Sequence, residues 1–405
     1  MIFAPNTGGS SDLSIDFSNT SWAYTNVGSN SSPIYQFNES DFLQNTMIDI
    51  GSNAAPTFYD YDNDGDLDLF LGGQISREAT IPSLLFLYKN VGNYTEPVFE
   101  FEDSDPFSIA LNRFYNIKPQ FADIDGDGMI DLAFTATSLS DGRTSLYYLK
   151  RESSEFMFSD SPLMIFSPLG YNENVKVFDI DDDGNTDLLV GRTTGKLEYY
   201  QNGTGGDLPT YSLVDDTFYG FDFDPLRQSA RVEIADLNGD TKLDMLIGDG
   251  SGQLAIYSDF KSTMDSPTDG EVDFISNDRG GYGSLNLGTR LIPSVTNIYG
   301  ETTPAIILGT GQGGMVILRN ENAQPIAISN QLSVYPNPLT VDEVLKVNFN
   351  KPTVFRIVNL SGQIVGDNIV SNGEPIEISV KQLKEGLYIL LSEDGGKAIR
   401  FVVTR

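Results

Sequence analysis

Asp123-Ile124-Asp125-Gly126-Asp127-Gly128-Met129-Ile130-Asp131 places a side-chain oxygen at the first, third, fifth and ninth positions of a nine-residue stretch. The same spacing recurs in Asp60-Tyr61-Asp62-Asn63-Asp64-Gly65-Asp66-Leu67-Asp68, in Asp179-Ile180-Asp181-Asp182-Asp183-Gly184-Asn185-Thr186-Asp187 and in Asp236-Leu237-Asn238-Gly239-Asp240-Thr241-Lys242-Leu243-Asp244. The first Asp returns after 63, 56 and 57 residues, a period that belongs to repeat architectures built from one supersecondary unit each. Asp, Asn and Gly also form ordinary solvated turns, but turns alone do not demand one spacing four times.

Outward from each loop the chain has strand character. Phe58, Phe121, Val177 and Ile234 precede the loops, and Leu69-Phe70-Leu71, Leu132-Ala133-Phe134, Leu188-Leu189-Val190 and Met245-Leu246-Ile247 follow them. These short apolar runs predict buried strands. A second run follows each, for example Leu197-Glu198-Tyr199-Tyr200 after the Gly191 to Gly195 connection, so each unit is expected to be a small antiparallel sheet. A fifth unit around Ile306 to Gly309 and Met315 to Leu318 keeps the strands but has Asn297, Tyr299, Glu301 and Ala305 at the loop positions, so it is expected to bind no metal. Near the start, Tyr24-Thr25-Asn26-Val27-Gly28 matches Tyr88-Lys89-Asn90-Val91-Gly92, which places the beginning of the chain inside a blade. Five units of about 60 residues plus a partial one, arranged radially, make an all-β fold of the β-propeller type over residues 1–325. The half blade leads to the expectation that part of the ring precedes Met1.

The loop chemistry points to Ca²⁺. That ion takes six to eight oxygen ligands from carboxylates, carbonyls and water. The candidate ligands are Asp60, Asp62, Asp64 and Asp68; Asp123, Asp125, Asp127 and Asp131; Asp179, Asp181, Asp183 and Asp187; and Asp236, Asn238, Asp240 and Asp244. Asp66, Met129, Asn185 and Lys242 at position 7 would each add a backbone carbonyl. Gly65, Gly128 and Gly184 at position 6 allow a turn that a Cβ would obstruct; Thr241 replaces that glycine in the fourth loop, which is expected to bind more weakly. About four calcium ions are expected. An EF-hand is rejected, because it needs a Glu at position 12 between two helices, whereas here position 9 closes the loop and strands flank it. Calcium in such loops can serve only to staple strands together, without touching any ligand.

Composition narrows the rest. The chain has 405 residues, with 57 Asp and Glu against 25 Lys and Arg, and a formal net charge of −32, which repels nucleic-acid phosphate and anionic lipid. Neither Cys nor His occurs, which excludes thiol and imidazole catalysis, Cys/His zinc sites and disulfides. No stretch reaches the ~20 apolar residues of a membrane-spanning helix. The first residues lack the basic and apolar regions of a secretory signal, which a truncated start would explain.

The four loops resemble the integrin-type FG-GAP repeat, also described as the VCBS repeat, over about residues 20 to 325, with Leu71-Gly72-Gly73 and Val190-Gly191 as fragments of the family's words. The resemblance implies a calcium-stabilised propeller of secreted or cell-surface proteins, often serving adhesion or glycan binding. Residues 331–405 differ in composition, and their alternating apolar residues predict a small immunoglobulin-like β-sandwich. Tyr335-Pro336-Asn337-Pro338, Leu360-Ser361-Gly362-Gln363, Gly386-Leu387-Tyr388 and the basic-ended final strand resemble, in order, the type A C-terminal sorting domain of the type IX secretion system of Bacteroidota. That implies export to the outer-membrane surface or beyond, with the secretion machinery as a partner.

Three functions remain open at this point. A non-catalytic surface propeller binding a glycan or a protein is preferred, because no residue set outside the loops converges on a catalytic constellation. A calcium-dependent polysaccharide lyase or glycoside hydrolase using a carboxylate pair is the alternative, favoured by a cleft that sets Lys or Arg beside a non-loop carboxylate of shifted pKa. A rigid spacer in a larger surface protein is the third. Trp22 and the tyrosines could stack on sugars, though propeller aromatics mostly pack between blades; the hairpin loops Gln74 to Ser83 and Thr137 to Thr144 are the longer ones.

Overall fold

A computed structural model describes residues 2–3, 22–29, 31–39, 48, 50–62, 64–74, 83–93, 95–153, 156–203, 208–276, 281–324, 332–349, 352–359, 363–372, 375–392 and 398–404. Most of the Gln74 to Ser83 loop, the side chain of Trp22 and Leu360 to Gly362 lie outside the described residues. The chain forms two compact units, Met1–Tyr59 with Leu67–Gln324, and Asp60–Asp66 with Pro325–Arg405.

Among the described residues, five antiparallel sheets of the first unit follow in series, each beginning at the strand that leads into a loop position. The first has strands Ser52–Tyr59, Asp68–Gln74, Phe86–Asn90 and Phe99–Asp103. The second has Phe114–Ala122, Asp131–Ser138, Thr144–Leu149 and Leu163–Leu169, and the third Asn174–Phe178, Asp187–Gly191, Leu197–Asn202 and Tyr211–Asp215. The fourth and fifth stop at three strands: Arg231–Ala235, Asp244–Gly248 and Leu254–Tyr257, then Ile292–Thr296, Ala305–Gly309 and Met315–Leu318.

One register is used throughout. Tyr59 pairs with Asp68, Ala122 with Asp131, Phe178 with Asp187, Ala235 with Asp244 and Thr296 with Ala305. Each nine-residue loop is thus a hairpin connection closed by the residue before position 1 and the residue at position 9. The fifth unit keeps this closure with an alanine, so the strand pattern holds the register even where the acidic chemistry is lost.

The first strand of each sheet packs against the first strand of the next, and Ile292–Thr296 packs in turn on Ser52–Tyr59. The five sheets therefore close a ring, sealed by hydrogen bonds from Ala54 N to Thr310 O (3.0 Å) and from Asn53 N to Gly311 O (3.3 Å). The sheet of Ile2–Phe3, Trp22–Asn26 and Tyr35–Glu39 takes no part in this cycle of first strands. It does reproduce the local turn expected of it: the Asn26 side-chain oxygen accepts N–H bonds from Gly28 and Ile34, as Asn90 does from Gly92 and Val98. Among the described residues the fifth sheet meets the first directly.

Close packing around the ring explains a glycine as the fifth residue of the second strand in four of the sheets, at Gly72, Gly191, Gly248 and Gly309. A Cβ on Gly191 would lie 1.8 Å from the Ala230 carbonyl oxygen, and one on Gly309 would lie 1.9 Å from that of Ala54. Backbone occupies both places, so no rotamer change can relieve the overlap. Gly309→Ala is expected to cost about 3 kcal/mol and to lower the melting temperature clearly; calorimetry showing an unchanged transition would refute the close approach.

Between the sheets lie apolar layers of the kind the sequence predicts. Leu189, Tyr199, Val232, Ile234, Met245 and Phe260 form one, and Ala133, Leu146, Val175, Val177 and Leu188 another. In the C-terminal unit a three-stranded sheet (Ser333–Tyr335, Val344–Asn348, Ile376–Ser379) and a five-stranded sheet (Leu339–Thr340, Ala398–Thr404, Gly386–Ser392, Pro352–Asn359, Ile364–Asn372) share one core. Leu345, Val347, Phe355, Leu390, Phe401 and Val403 fill it completely buried, giving the expected small β-sandwich.

Candidate metal centres

Each acidic loop is first a hydrogen-bonded turn. The position-1 carboxylate reaches across the loop: Asp123 accepts from Gly126 N (2.8 Å) and Gly128 N (2.9 Å), Asp179 from Asp183 N (3.1 Å) and Gly184 N (2.9 Å), and Asp236 from Thr241 N (2.8 Å). Position 6 takes the left-handed backbone, with φ of +97° at Gly65, +86° at Gly128, +88° at Gly184 and +69° at Thr241. The threonine is a β-branched residue in a region that disfavours it, so the fourth loop stores strain at position 6 that the glycines of the others avoid there. Asp66, Met129, Asn185 and Lys242 at position 7 donate their N–H groups to the position-5 carboxylates of Asp64, Asp127, Asp183 and Asp240.

Position 9 is the most buried part of each loop. Asp68, Asp131, Asp187 and Asp244 are at most 1% exposed. One oxygen accepts from the residue after position 1, namely Ile124 N, Ile180 N and Leu237 N for the last three. The other accepts from the end of the third strand or just past it, at Asn90 N, Arg151 N, Asn202 N and Asp259 N. The aspartate therefore ties the loop to the sheet whether or not an ion is bound, a role the spacing alone does not reveal. Burial pushes the Asp131 and Asp60 carboxyls up to about 6, and raises those of Asp187 and Asp244 as well.

The structure brings carboxylate oxygens within 4.8 Å of one another in three groups: Asp60, Asp62 and Asp68; Asp123, Asp125 and Asp127; and Asp179, Asp181 and Asp187. No such group forms from Asp236, Asp240 and Asp244, where the position-3 residue is the amide Asn238. Of the remaining candidates, Asp64 and Asp183 sit in their loops at position 5, and Asp131 is turned to its two backbone donors. In the fifth loop Asn297 bonds the backbone of Glu301, whose carboxylate is taken by Arg319.

A hard divalent cation fits this donor set, which is all oxygen and strongly acidic. The second loop shows the need for a counter-charge directly, since the Lys150 ammonium lies against both Asp125 and Asp127, at 2.8 Å from the latter. Lys150 holds the Asp127 carboxyl below its usual range. At the equivalent place in the third sheet Gln201 donates to Asp181 at 2.5 Å. Sequence reasoning missed Lys150 and Gln201, although each immediately precedes the residue whose N–H meets the position-9 aspartate. Residues such as Asp62, Asp125 and Asp181 would hold the ion from the loop, and its chemistry there would be to neutralise and cross-link carboxylates.

Comparison with known proteins agrees with the two-part reading. An FG-GAP-like repeat model matches residues 60–134 and 123–190, and a secretion system C-terminal sorting domain matches residues 333–404. No curated protein matches the chain. Among solved structures, an exo-beta-1,3-galactanase from Phanerochaete chrysosporium with beta-1,3-galactotriose is similar at 9% identity, over 88% of this chain and 98% of that one, with a TM-score of 0.36. BBS1N in complex with ARL6DN is similar at 13% identity over 88% and 94% of the two chains, with a TM-score of 0.25. Drosophila Semaphorin 2a is similar at 9% identity over 97% and 84%, with a TM-score of 0.18. All three scores are too low to carry an argument, so the fold rests on the sheets and their register. The chain carries FG-GAP-like repeats in an all-β, propeller-like fold and ends in a type IX secretion-system C-terminal sorting domain.

Proposed function

We propose that the protein is exported through the type IX secretion machinery and acts outside the cell as a calcium-binding β-propeller, residues 1–325, that binds a glycan or a protein in adhesion. The sandwich of residues 331–405 is the export address. The observation that carries the calcium part is the recurrence of three-carboxylate groups in successive sheets, each closed by the same strand register.

The choice of binding over catalysis is supported by a cleft outside the loops, about 620 Å³, lined by Phe166, Arg192, Tyr200 and Tyr211 among others. It does set an arginine beside carboxylates. Arg192 pairs with Glu173 and Glu198, both at 2.7 Å. Burial raises the Glu173 carboxyl, but the Gly170 N–H, Arg192 and the Thr193 N–H together outweigh it and hold the group below its usual range. A carboxylate kept ionised and fully occupied is a poor proton donor, and one paired to arginine is a poor base. The aromatic walls suit a sugar ring better than they suit acid–base chemistry.

The test uses the full chain with a panel of host and algal polysaccharides, in calcium and in chelator. Retention without products is the expected result. Shortened or unsaturated products that depend on calcium would make the protein an enzyme and overturn the binding reading.

A further inference from the structure

The axis of the ring is lined by the alternate residues of the five first strands. Three residues before each loop stand Thr57, Gln120, Lys176, Glu233 and Ser294, and two residues earlier stand Lys118, Asn174 and Arg231. Most of these polar groups staple one sheet to the next. Lys118 Nζ donates to Asn174 Oδ1 (2.7 Å) and to the Glu173 carbonyl (3.1 Å), Gln120 exchanges bonds with the backbone of Val175 and Val177, and Lys176 pairs with Glu233.

Arg231 breaks the pattern. It is 6% exposed, and its Nη1 has no hydrogen-bond partner among the described residues. Its neighbour Lys118 is 5% exposed and bonds only neutral acceptors, and the rim residue Arg290 bonds the side chain of Asn53. The carboxylates that attract them, Glu233 for Arg231 and Glu173 for Lys118, are also paired, to Lys176 and to Arg192. Two buried cations thus share their counter-charges with other residues in a protein of net charge −32. A buried charge left unpaired is costly, and an arginine with a free donor is a ready partner for an oxyanion. A cavity of about 210 Å³ is lined by Arg231 together with Gln120, Lys176, Glu233 and Ser294 among others. That is room for about seven waters at ~30 Å³ each, enough for a sulfate or for the carboxylate end of an acidic sugar.

We propose that this axial cavity is an anion site in which Arg231, supported by Lys118, binds a small oxyanion. Burial and the charges of Arg231 and Arg290 hold the Lys118 ammonium well below its usual range, and burial pushes Arg231 down to about 10, so a bound anion relieves both. The site is independent of the calcium loops and of the adhesive reading.

The test measures thermal unfolding of the full chain, in calcium, with sodium sulfate or sodium galacturonate against sodium chloride at equal ionic strength. A saturable rise of a few °C beyond chloride is expected for the wild type, consistent with one site filled well above its Kd. Arg231→Met is expected to melt higher than the wild type in chloride and to lose the saturable rise. A rise with sulfate alone assigns an inorganic oxyanion, and a rise with galacturonate assigns the carboxylate of an acidic sugar. No rise with either, or the same rise in R231M, overturns the proposal. If R231M does not fold, wild-type crystals soaked in selenate decide: anomalous density beside Arg231 supports the site, and an empty cavity refutes it.

Discussion

Chelation of divalent ions is expected to lower the melting temperature of the protein by about 10 °C or more at neutral pH, and by less at pH 5. The size follows from mass action: an ion at a hundredfold over its Kd stabilises the native state by about 2.7 kcal/mol per site, and three carboxylate groups are assembled. The pH dependence follows from burial. Asp60 and Asp131 have carboxyls pushed up to about 6, above the unfolded value near 3.9. In chelator such a group gives stability that is fully present below the unfolded pKa and is lost as the pH rises through 6, because the native state holds the proton more tightly. The ion instead needs the ionised carboxylates, so its contribution grows over the same window and then levels off. The gap between calcium and chelator must therefore widen from pH 5 to pH 7.5. Asp125→Ala with Asp127→Ala should remove one bound ion, read by titration calorimetry, and leave Lys150 without its partners. A gap that does not change with pH, or unchanged stoichiometry in the double variant, would sink the assignment.

How much of this was legible in the sequence depends on whether the information is local. The loop spacing is local, and it gave the strand boundaries nearly to the residue, because Asp68, Asp131, Asp187 and Asp244 each open a strand. The sandwich was legible through alternating apolar residues in stretches such as Ile376-Glu377-Ile378-Ser379. Ring closure was not, since it depends on Ala54 and Asn53 meeting Thr310 and Gly311, which are far apart in the chain and carry no signature. The partial unit at the start pulled the reading toward a larger ring for the same reason: its Asn26 turn copies Asn90 faithfully, and a local copy says nothing about who closes on whom. The axial residues were hidden too. Lys118, Arg231 and Glu233 sit at strand positions that in an ordinary sheet would face solvent, and only the ring turns them inward. Within the loops, the spacing named the oxygens but could not say that position 9 is spent on two backbone donors.

Loss of the C-terminal unit is expected to abolish appearance of the protein outside the cell, the largest effect of any change considered. In a type IX host, deletion of Leu332 to Arg405 from the full-length protein should leave it in the periplasm, scored by fractionation and by surface labelling. The physical ground is that the sorting match, residues 333–404, coincides with a sandwich that has its own core and its own sheets. A signal that depends on a folded surface can be destroyed without deletion, which gives a second and sharper arm. Phe401 and Leu390 are completely buried, and Phe401→Asp would set an unpaired charge among Leu345, Val347 and Phe355. That variant keeps nearly every residue of the segment yet should be trapped like the deletion if recognition reads the folded sandwich. Export of F401D with retention of the deletion would place the signal in a linear stretch instead, and normal surface display of the deletion would refute the sorting role for this chain.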